Sequence, residues 1–342
     1  MRAIVYDAVG ATPVLTDVPE PDCPADGAVV AVRATGICRS DWHAWKGHDP
    51  VPLPNIPGHE FAGVVSSIGA QVTGFAVGDR VTVPFVNGCG RCEWCATGQA
   101  QVCPEQTQPG FTHPGSFAEQ VAVRAADFNL VRLPDDVDFV TAASLGCRFA
   151  TAYHALTAQG RLRAGEWLAV LGCGGVGLSA VMVGVALKAR VVVVDPSPAA
   201  RQRANELGAQ VVLDDANGIV EATGGGAHVS VDALGSAATA TASILGLRRR
   251  GRHVQVGLML ANNALAALPW GAVVARELEV IGSHGMPSVD YPGLLAMISA
   301  GRLAPGALVG RTVGLEQAGV ELMAMDAPVP SAAGLVVAVL QP

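Results

Sequence analysis

Positive charge is scarce in this chain, and lysine is scarcest of all. Lys46 and Lys188 are its only lysines, and 22 basic residues face 29 acidic ones, a net charge of −7. Nucleic acid and anionic membrane surfaces reward a basic face, so neither partner is expected. The one basic run, Arg248 to Arg250, reads as a solvated turn after a helix. Long apolar runs are also missing, although 50% of the residues are hydrophobic. The longest helical candidate, Val176 to Leu187, is twelve residues and is interrupted by Ser179 and Gly184. A membrane span needs about 20. Met1 to Tyr6 reads as a strand and not as a secretory leader, so a cytoplasmic protein is expected. No internal repeat or low-complexity tail is visible. At 342 residues the chain exceeds one ordinary core, which predicts two domains.

The two parts differ in pattern. Val29–Arg33, Phe61–Ile68, Asp79–Val83 and Phe117–Val123 read as strands cut by Gly and Pro. Pro50, Pro52, Pro54 and Pro57 stiffen the approach to Gly58-His59-Glu60. This half predicts an irregular β-barrel. Further on, Trp167–Leu171, Val191–Val194, Val211–Leu213, His228–Ala233, His253–Val256 and Leu278–Ile281 are apolar runs. Helical stretches such as Val176–Lys188 and Ala199–Leu207 separate most of them. That alternation predicts an α/β, doubly wound parallel sheet. After Ser283 the pattern breaks. We expect 1–147 and 285–342 to form one domain and 148–284 the other.

Eight cysteines are present. Cys89, Cys92, Cys95 and Cys103 form a compact C-x2-C-x2-C-x7-C set, which suits a closed, tetrahedral structural zinc better than disulfides. Cys38, His59 and Cys147 are dispersed and leave one coordination position free, which suits a catalytic zinc. Cys23 and Cys173 read as small, partly buried filler.

Gly172-Cys173-Gly174-Gly175-Val176-Gly177 follows a predicted strand and opens a predicted helix, the context that a dinucleotide-binding G-x-G-x-x-G loop requires. Gly172 would allow the tight turn, Gly174 the approach of a pyrophosphate, and Gly177 the packing of helix on strand. The helix N-terminus favours phosphate. Asp195 ends the second strand, 18 residues past Gly177. It can accept from ribose hydroxyls and repel a 2′-phosphate, which favours NAD over NADP.

Cys38-Arg39-Ser40-Asp41-Trp42-His43, with Gly58-His59-Glu60 and Gly146-Cys147, resembles the zinc-dependent medium-chain alcohol dehydrogenases of compact microbial type. The resemblance runs along nearly the whole chain. It implies a GroES-like catalytic domain beside a Rossmann domain, two Zn(2+) per chain and NAD(H). It makes Cys38, His59 and Cys147 the catalytic zinc ligands, Asp41 the partner that orients His59, and Glu60 a residue behind the zinc. Ser40 and His43 match the family's proton relay, and hydride passes between substrate carbon and nicotinamide. Arg39 matches a pyrophosphate contact. Thr151, Val176 and Val256-Gly257-Leu258 match positions lining the nicotinamide. Phe85 matches a substrate-pocket aromatic, and Trp42, Trp45 and Trp270 are further candidates to narrow the pocket. The remaining histidines, His48, His113, His154, His228, His253 and His284, fall in no ligand pattern.

One departure stands out. Many family members carry a basic residue before the final strand that reaches the pyrophosphate and Glu60. Here Ser331 to Val337 has none, so either NAD binds somewhat more weakly or Arg39 alone compensates. The resemblance implies a carbonyl reductase or alcohol dehydrogenase for small molecules, with medium-chain or aromatic substrates. It also implies a homotetramer paired through Leu278–Ile281, with a dimer as the alternative. Polyol dehydrogenases of the same fold usually place Glu at the third ligand position, which Cys147 occupies here. A non-catalytic nucleotide-binding relative would show an eroded catalytic set, and this set is complete.

Overall fold

Ala28 to Ile37 carries three valines and no proline, and it becomes the longest strand of the chain. The computed structural model describes residues 1–260, 264–327 and 334–341. A hairpin pairs β1 (Arg2–Val5) with β2 (Val14–Asp17). One sheet holds β3 (Ala28–Ile37), β4 (Glu60–Ile68), β5 (Arg80–Thr82), β6 (Gln120–Val123) and β7 (Val131–Arg132). A second holds β8 (Trp167–Leu171), β9 (Arg190–Val194), β10 (Val211–Leu213), β11 (Ala227–Asp232), β12 (Leu247–Gln255) and β13 (Glu279–Gly282). Its order is β10-β9-β8-β11-β12-β13, parallel throughout. This is the doubly wound sheet that the alternation of apolar runs predicts, with its topological switch between β8 and β11.

The tail then returns. β14 (Val309–Gly314) pairs with β15 (Leu335–Val339), and β15 lies antiparallel to β3, Val337 opposite Gly36. The C-terminal strands therefore extend the first sheet at its β3 side. Its core packs Val30, Val32, Phe61, Val65, Phe117 and Ala338. The other main core packs Leu168, Val170 and Val231 against Leu145, Phe149 and Leu156. These last three belong to a nearly continuous helical path from Phe139 to Gln159, capped at its start by Asp138, which accepts from Thr141 N at 2.8 Å. That path links the two sheets and carries Cys147 and Thr151. At Leu145–Phe149 it widens into a π turn, a feature often found where a helix supplies functional groups.

Two expectations fail locally. Phe117 lies outside β6, because its backbone bonds go to Pro57 O (2.9 Å) and Ile4 N (2.8 Å) instead of β3. Arg248 to Arg250 are not a turn but open β12. The β11–β12 register slips there, Arg250 takes φ +60°, and its guanidinium pairs with Glu277 at 2.6 Å. Among the described residues no helix is long and apolar enough to cross a membrane.

The helix Gly175–Ala186 starts at the end of β8, and Lys188, exposed and in left-handed conformation, closes it. Gly172 makes the preceding turn with φ +90°. A Cβ at Gly177 would lie 1.8 Å from Gly172 O, so helix and turn touch only because it is glycine. Gly177→Ala must push the loop aside, a strain of about 1–3 kcal/mol. It should raise the NADH dissociation constant about five- to 150-fold, read by fluorescence titration, while the far-UV dichroism is kept.

Candidate metal centre and cofactor cleft

β3 ends at Ile37, and Cys38 caps the helix Arg39–Trp45 that follows. Asp41, in the first turn of that helix, is 1% exposed. Its Oδ2 accepts from the Cys38 backbone N–H at 3.0 Å, and its Oδ1 accepts from Gly58 N at 3.0 Å and His59 Nδ1 at 2.8 Å. One buried carboxylate thus fixes the first ligand's backbone and the second ligand's ring. With Nδ1 committed to Asp41, His59 Nε2 is left buried with no hydrogen-bond partner. Such an orphan costs free energy unless something unmodified by hydrogen bonding, such as a metal ion, takes it up.

The ligand atoms of Cys38, His59 and Cys147 lie within 4.8 Å of one another. The Cys147 thiol, and after it the Arg148 charge, hold Cys38 well below the usual thiol range against the opposing effect of burial. The same contact and burial push Cys147 up. Burial pulls His59 down, but Asp41 and Cys38 outweigh it and hold the imidazole well above the ordinary histidine range. Protons and a metal therefore compete for this site, and metal occupancy should fall in acid. Two soft sulfurs and one imidazole fit zinc, with a fourth position open to the cavity.

The second cluster is a surface lobe around the short helix Glu93–Ala96. Its four sulfurs also lie within 4.8 Å of one another, Cys92 to Cys103 at 3.7 Å and Cys89 to Cys95 at 4.0 Å. A disulfide would need about 2.05 Å. A tetrahedron with metal–sulfur bonds of about 2.3 Å has edges of about 3.8 Å, which matches. The Arg91 backbone N–H draws the Cys89 thiol down to about 7, while burial pushes Cys95 up to about 12. The lobe's own apolar core is small, chiefly Ala100 and Phe128 around the cysteines. A metal there would do the work of a core.

A cavity of about 560 Å³ runs from the first cluster to the glycine loop. Cys38, Arg39, Ser40, His43, His59, Phe85, Cys147 and Thr151 line one part of it. Gly172, Gly174, Gly175, Val176, Asp195, Val256, Gly257 and Leu258 line the other. A Cβ at Gly174 would meet nothing within 4 Å, so the backbone there is open to a ligand. Asp195 already accepts from Cys173 N at 2.7 Å and Ser197 N at 2.8 Å, which fixes its carboxylate at the cavity edge. Asp41, Glu60 and Gly177 stand behind the wall.

The tryptophans are corrected. Trp42 turns away to donate to Asp326 at 3.0 Å, and Trp45 donates to Ala11 O at 2.7 Å in a separate cluster with Tyr6 and Leu322. Trp270 is 58% exposed on the helix Trp270–Arg276, which leads into β13. Cys23 is exposed, not filler, whereas Cys173 is buried. The pocket's aromatic wall comes from elsewhere. Phe85 and Phe111 set their rings 6.0 Å and 5.3 Å from that of His59, and His284 stands 5.3 Å from Phe85. Phe111 and His284 sit in loops with no local pattern to mark them. Arg39 donates to Met325 O at 2.6 Å while lining the cavity. Residues 331–333, in the stretch without a basic residue, lie outside the described residues. The cation beside Glu60 is instead Arg148, which sequence reasoning missed.

Residues 24–135 match the alcohol dehydrogenase GroES-like domain, and residues 175–300 match the zinc-binding dehydrogenase domain. An alcohol dehydrogenase of Geobacillus stearothermophilus is 36% identical over 310 residues, 89% of this chain and 90% of that one. The chain belongs to the zinc-dependent medium-chain alcohol dehydrogenases. Among solved family structures, alcohol dehydrogenase TADH from Thermus sp. ATN1 superposes with a TM-score of 0.91 at 29% identity, covering 100% of both chains. An NAD-dependent alcohol dehydrogenase superposes with a TM-score of 0.88 at 28% identity, again covering 100% of both. The family resemblance and the barrel-plus-Rossmann architecture expected from the sequence both hold.

Two clusters predict about two zinc ions per chain. Cys92→Ser and Cys147→Ser should each lower the metal content to about one, measured by elemental analysis. Only Cys92→Ser should also markedly lower the melting temperature, because only that metal replaces a core.

Proposed function

We propose that the protein is an NAD-dependent zinc alcohol dehydrogenase that interconverts alcohols with aldehydes or ketones. One observation carries this reading. The unpartnered Nε2 of His59, between two cysteine sulfurs, borders the same cavity as the open backbone of Gly174 and Gly175. Zinc held by Cys38, His59 and Cys147 supplies Lewis-acid polarisation of the substrate oxygen, and NAD at the glycine loop supplies the hydride acceptor. The rest falls to the chain itself.

Ser40 follows the Cys38 ligand by two residues, with its Oγ 3.8 Å from Cys38 Sγ, so its hydroxyl can take the substrate's proton. His43 lies one helical turn further on, the right spacing to receive the proton on the same face. Burial, then the charges of His48 and Arg39, hold His43 below the ordinary histidine range. That favours the neutral imidazole, the form able to accept a proton. Asp41 keeps His59 in the tautomer that presents Nε2. Phe85, Phe111 and His284 form an apolar, aromatic wall. Of the arginines at the cavity, Arg148 is already paired with Glu60 and Arg39 lies toward the outer rim, so no carboxylate clamp faces the substrate end. Medium-chain or aromatic alcohols and carbonyls are the fitting class.

The domains are assigned as 1–147 with 285–342 and 148–284, and the compartment as the cytoplasm. A homotetramer is proposed, pairing through β13. That strand ends its sheet, and Trp270 and Val274, 58% and 77% exposed, stand on the helix that leads into it.

The first test is NADH consumption against a panel of aldehydes and ketones, with NADPH and chelator-treated controls. Turnover with NADH that disappears with the zinc is expected; absence of turnover with every carbonyl, despite two bound zincs, would overturn the reading. His43→Ala should slow alcohol oxidation about 10²-fold near pH 7, with the deficit shrinking as pH rises and solvent takes over as base. Trp270→Asp should lower the sedimentation coefficient toward that of a smaller assembly.

A further inference from the structure

Among the described residues Arg148 is the one buried arginine, 8% exposed. A guanidinium in such a place costs several kcal/mol unless its hydrogens are used. Here they are used on a particular set of neighbours. Nη2 pairs with Glu60 Oε2, Nε donates to Glu60 Oε1 at 3.2 Å, and Nη1 donates to Ile37 O at 3.3 Å. Glu60 is fully buried, and its Oε1 also accepts from the backbone N–H groups of Cys147 and Arg148, both at 3.1 Å. Ile37 precedes the ligand Cys38, Glu60 follows the ligand His59, and Arg148 follows the ligand Cys147. One side chain thus joins the chain neighbours of all three ligands. The same side chain supports the cofactor loop, since a Cβ at Gly175 would lie 2.6 Å from Arg148 Cδ.

We propose that Arg148 is a positioning residue for the dehydrogenase reaction: it holds the Glu60 carboxylate back from the metal and sets the seat of the glycine loop. This rests on the alcohol dehydrogenase reading. Charge and place give the reason. A buried carboxylate next to a metal ligand and lacking its own cation has the metal as its nearest positive charge, and carboxylate oxygen is a competent zinc ligand. Bound there, it would fill the position the substrate needs. The bidentate hold of Arg148 on Glu60 keeps that position open, and the stem of the arginine fixes Gly175 at the mouth of the cofactor site.

Arg148→Met keeps an unbranched stem and removes the charge. The test compares it with Glu60→Gln and with the double variant Arg148→Met/Glu60→Gln. Metal per chain, NADH dissociation constant, kcat, and the visible absorption of protein carrying cobalt(II) at the catalytic site are all measured. Arg148→Met is expected to keep about two metals per chain, to shift the cobalt bands as the fourth ligand changes, and to lose about 10²-fold in kcat. Adding Glu60→Gln should return the cobalt bands toward those of the unmodified protein and recover much of kcat. NADH affinity should stay near that of the unmodified protein in both variants, since the methionine stem still stands against Gly175.

An unshifted cobalt spectrum in Arg148→Met, with a loss of kcat that Glu60→Gln does not recover, would overturn the proposal and leave Arg148 as packing. If Arg148→Met does not fold, Arg148→Lys keeps the charge without the fork. A partial shift of the cobalt bands is then expected, and none would overturn the proposal. Absence of metal at the first cluster, or of NADH turnover, in the unmodified protein would instead sink the dehydrogenase reading itself.

Discussion

The carboxylate of Asp41 is the point on which the metal centre depends. It sits inside the protein and takes three hydrogen bonds, from the Cys38 backbone, the Gly58 backbone and the His59 ring. Those donors lie 20 to 21 residues apart, just past the last β3–β4 pair, Gly36 opposite Glu60, so the carboxylate ties the helix start to the Gly58 turn where the ladder ends. It also decides which imidazole nitrogen is left over. Remove that acceptor and His59 is free to rotate, and the orphaned Nε2 that defines the site no longer has a fixed direction.

A second layer of charge lies behind the first. Asp41 stands behind His59, and Glu60 with Arg148 stands behind Cys147 and Cys38, so each ligand is backed by a fully used ionic group. Burial holds Glu60 above the usual carboxylate range, and the Arg148 guanidinium offsets only part of that. At the π turn Leu145–Phe149, Cys147 joins the metal-ligand cluster, while the guanidinium of Arg148, which also borders the cavity, pairs with Glu60. The helical path that contains this turn also ties the two cores together, which places the zinc ligands and the nucleotide loop in one frame.

Much of this was legible in the sequence where chemistry is local. Four cysteines within fifteen residues can close on one ion without help from the fold. The glycine loop has a fixed order of demands, and Gly172, Gly174 and Gly177 meet them at short range. The parallel sheet was legible because strands buried on both faces leave unbroken apolar runs. Contacts made over distance were not. Arg148 meets Glu60 across 88 residues, and nothing about an arginine after a cysteine says which way it turns. Trp42 and Trp270 show the same limit from the other side, since an aromatic residue suits a pocket, a core or an interface alike. The wall of the pocket fell to Phe111 and His284, whose loops are positioned by packing and carry no periodicity.

The near absence of lysine has a practical consequence once Lys188 is placed. That residue closes the helix whose other end is the glycine loop, so its backbone stands about 20 Å from that loop along a rigid rod. Lys46 is held by Asp326 at 3.0 Å, and the amino terminus by Val18 O at 2.8 Å. An amine-reactive bead or electrode would therefore capture this protein chiefly by one handle, at the end of that helix away from the glycine loop.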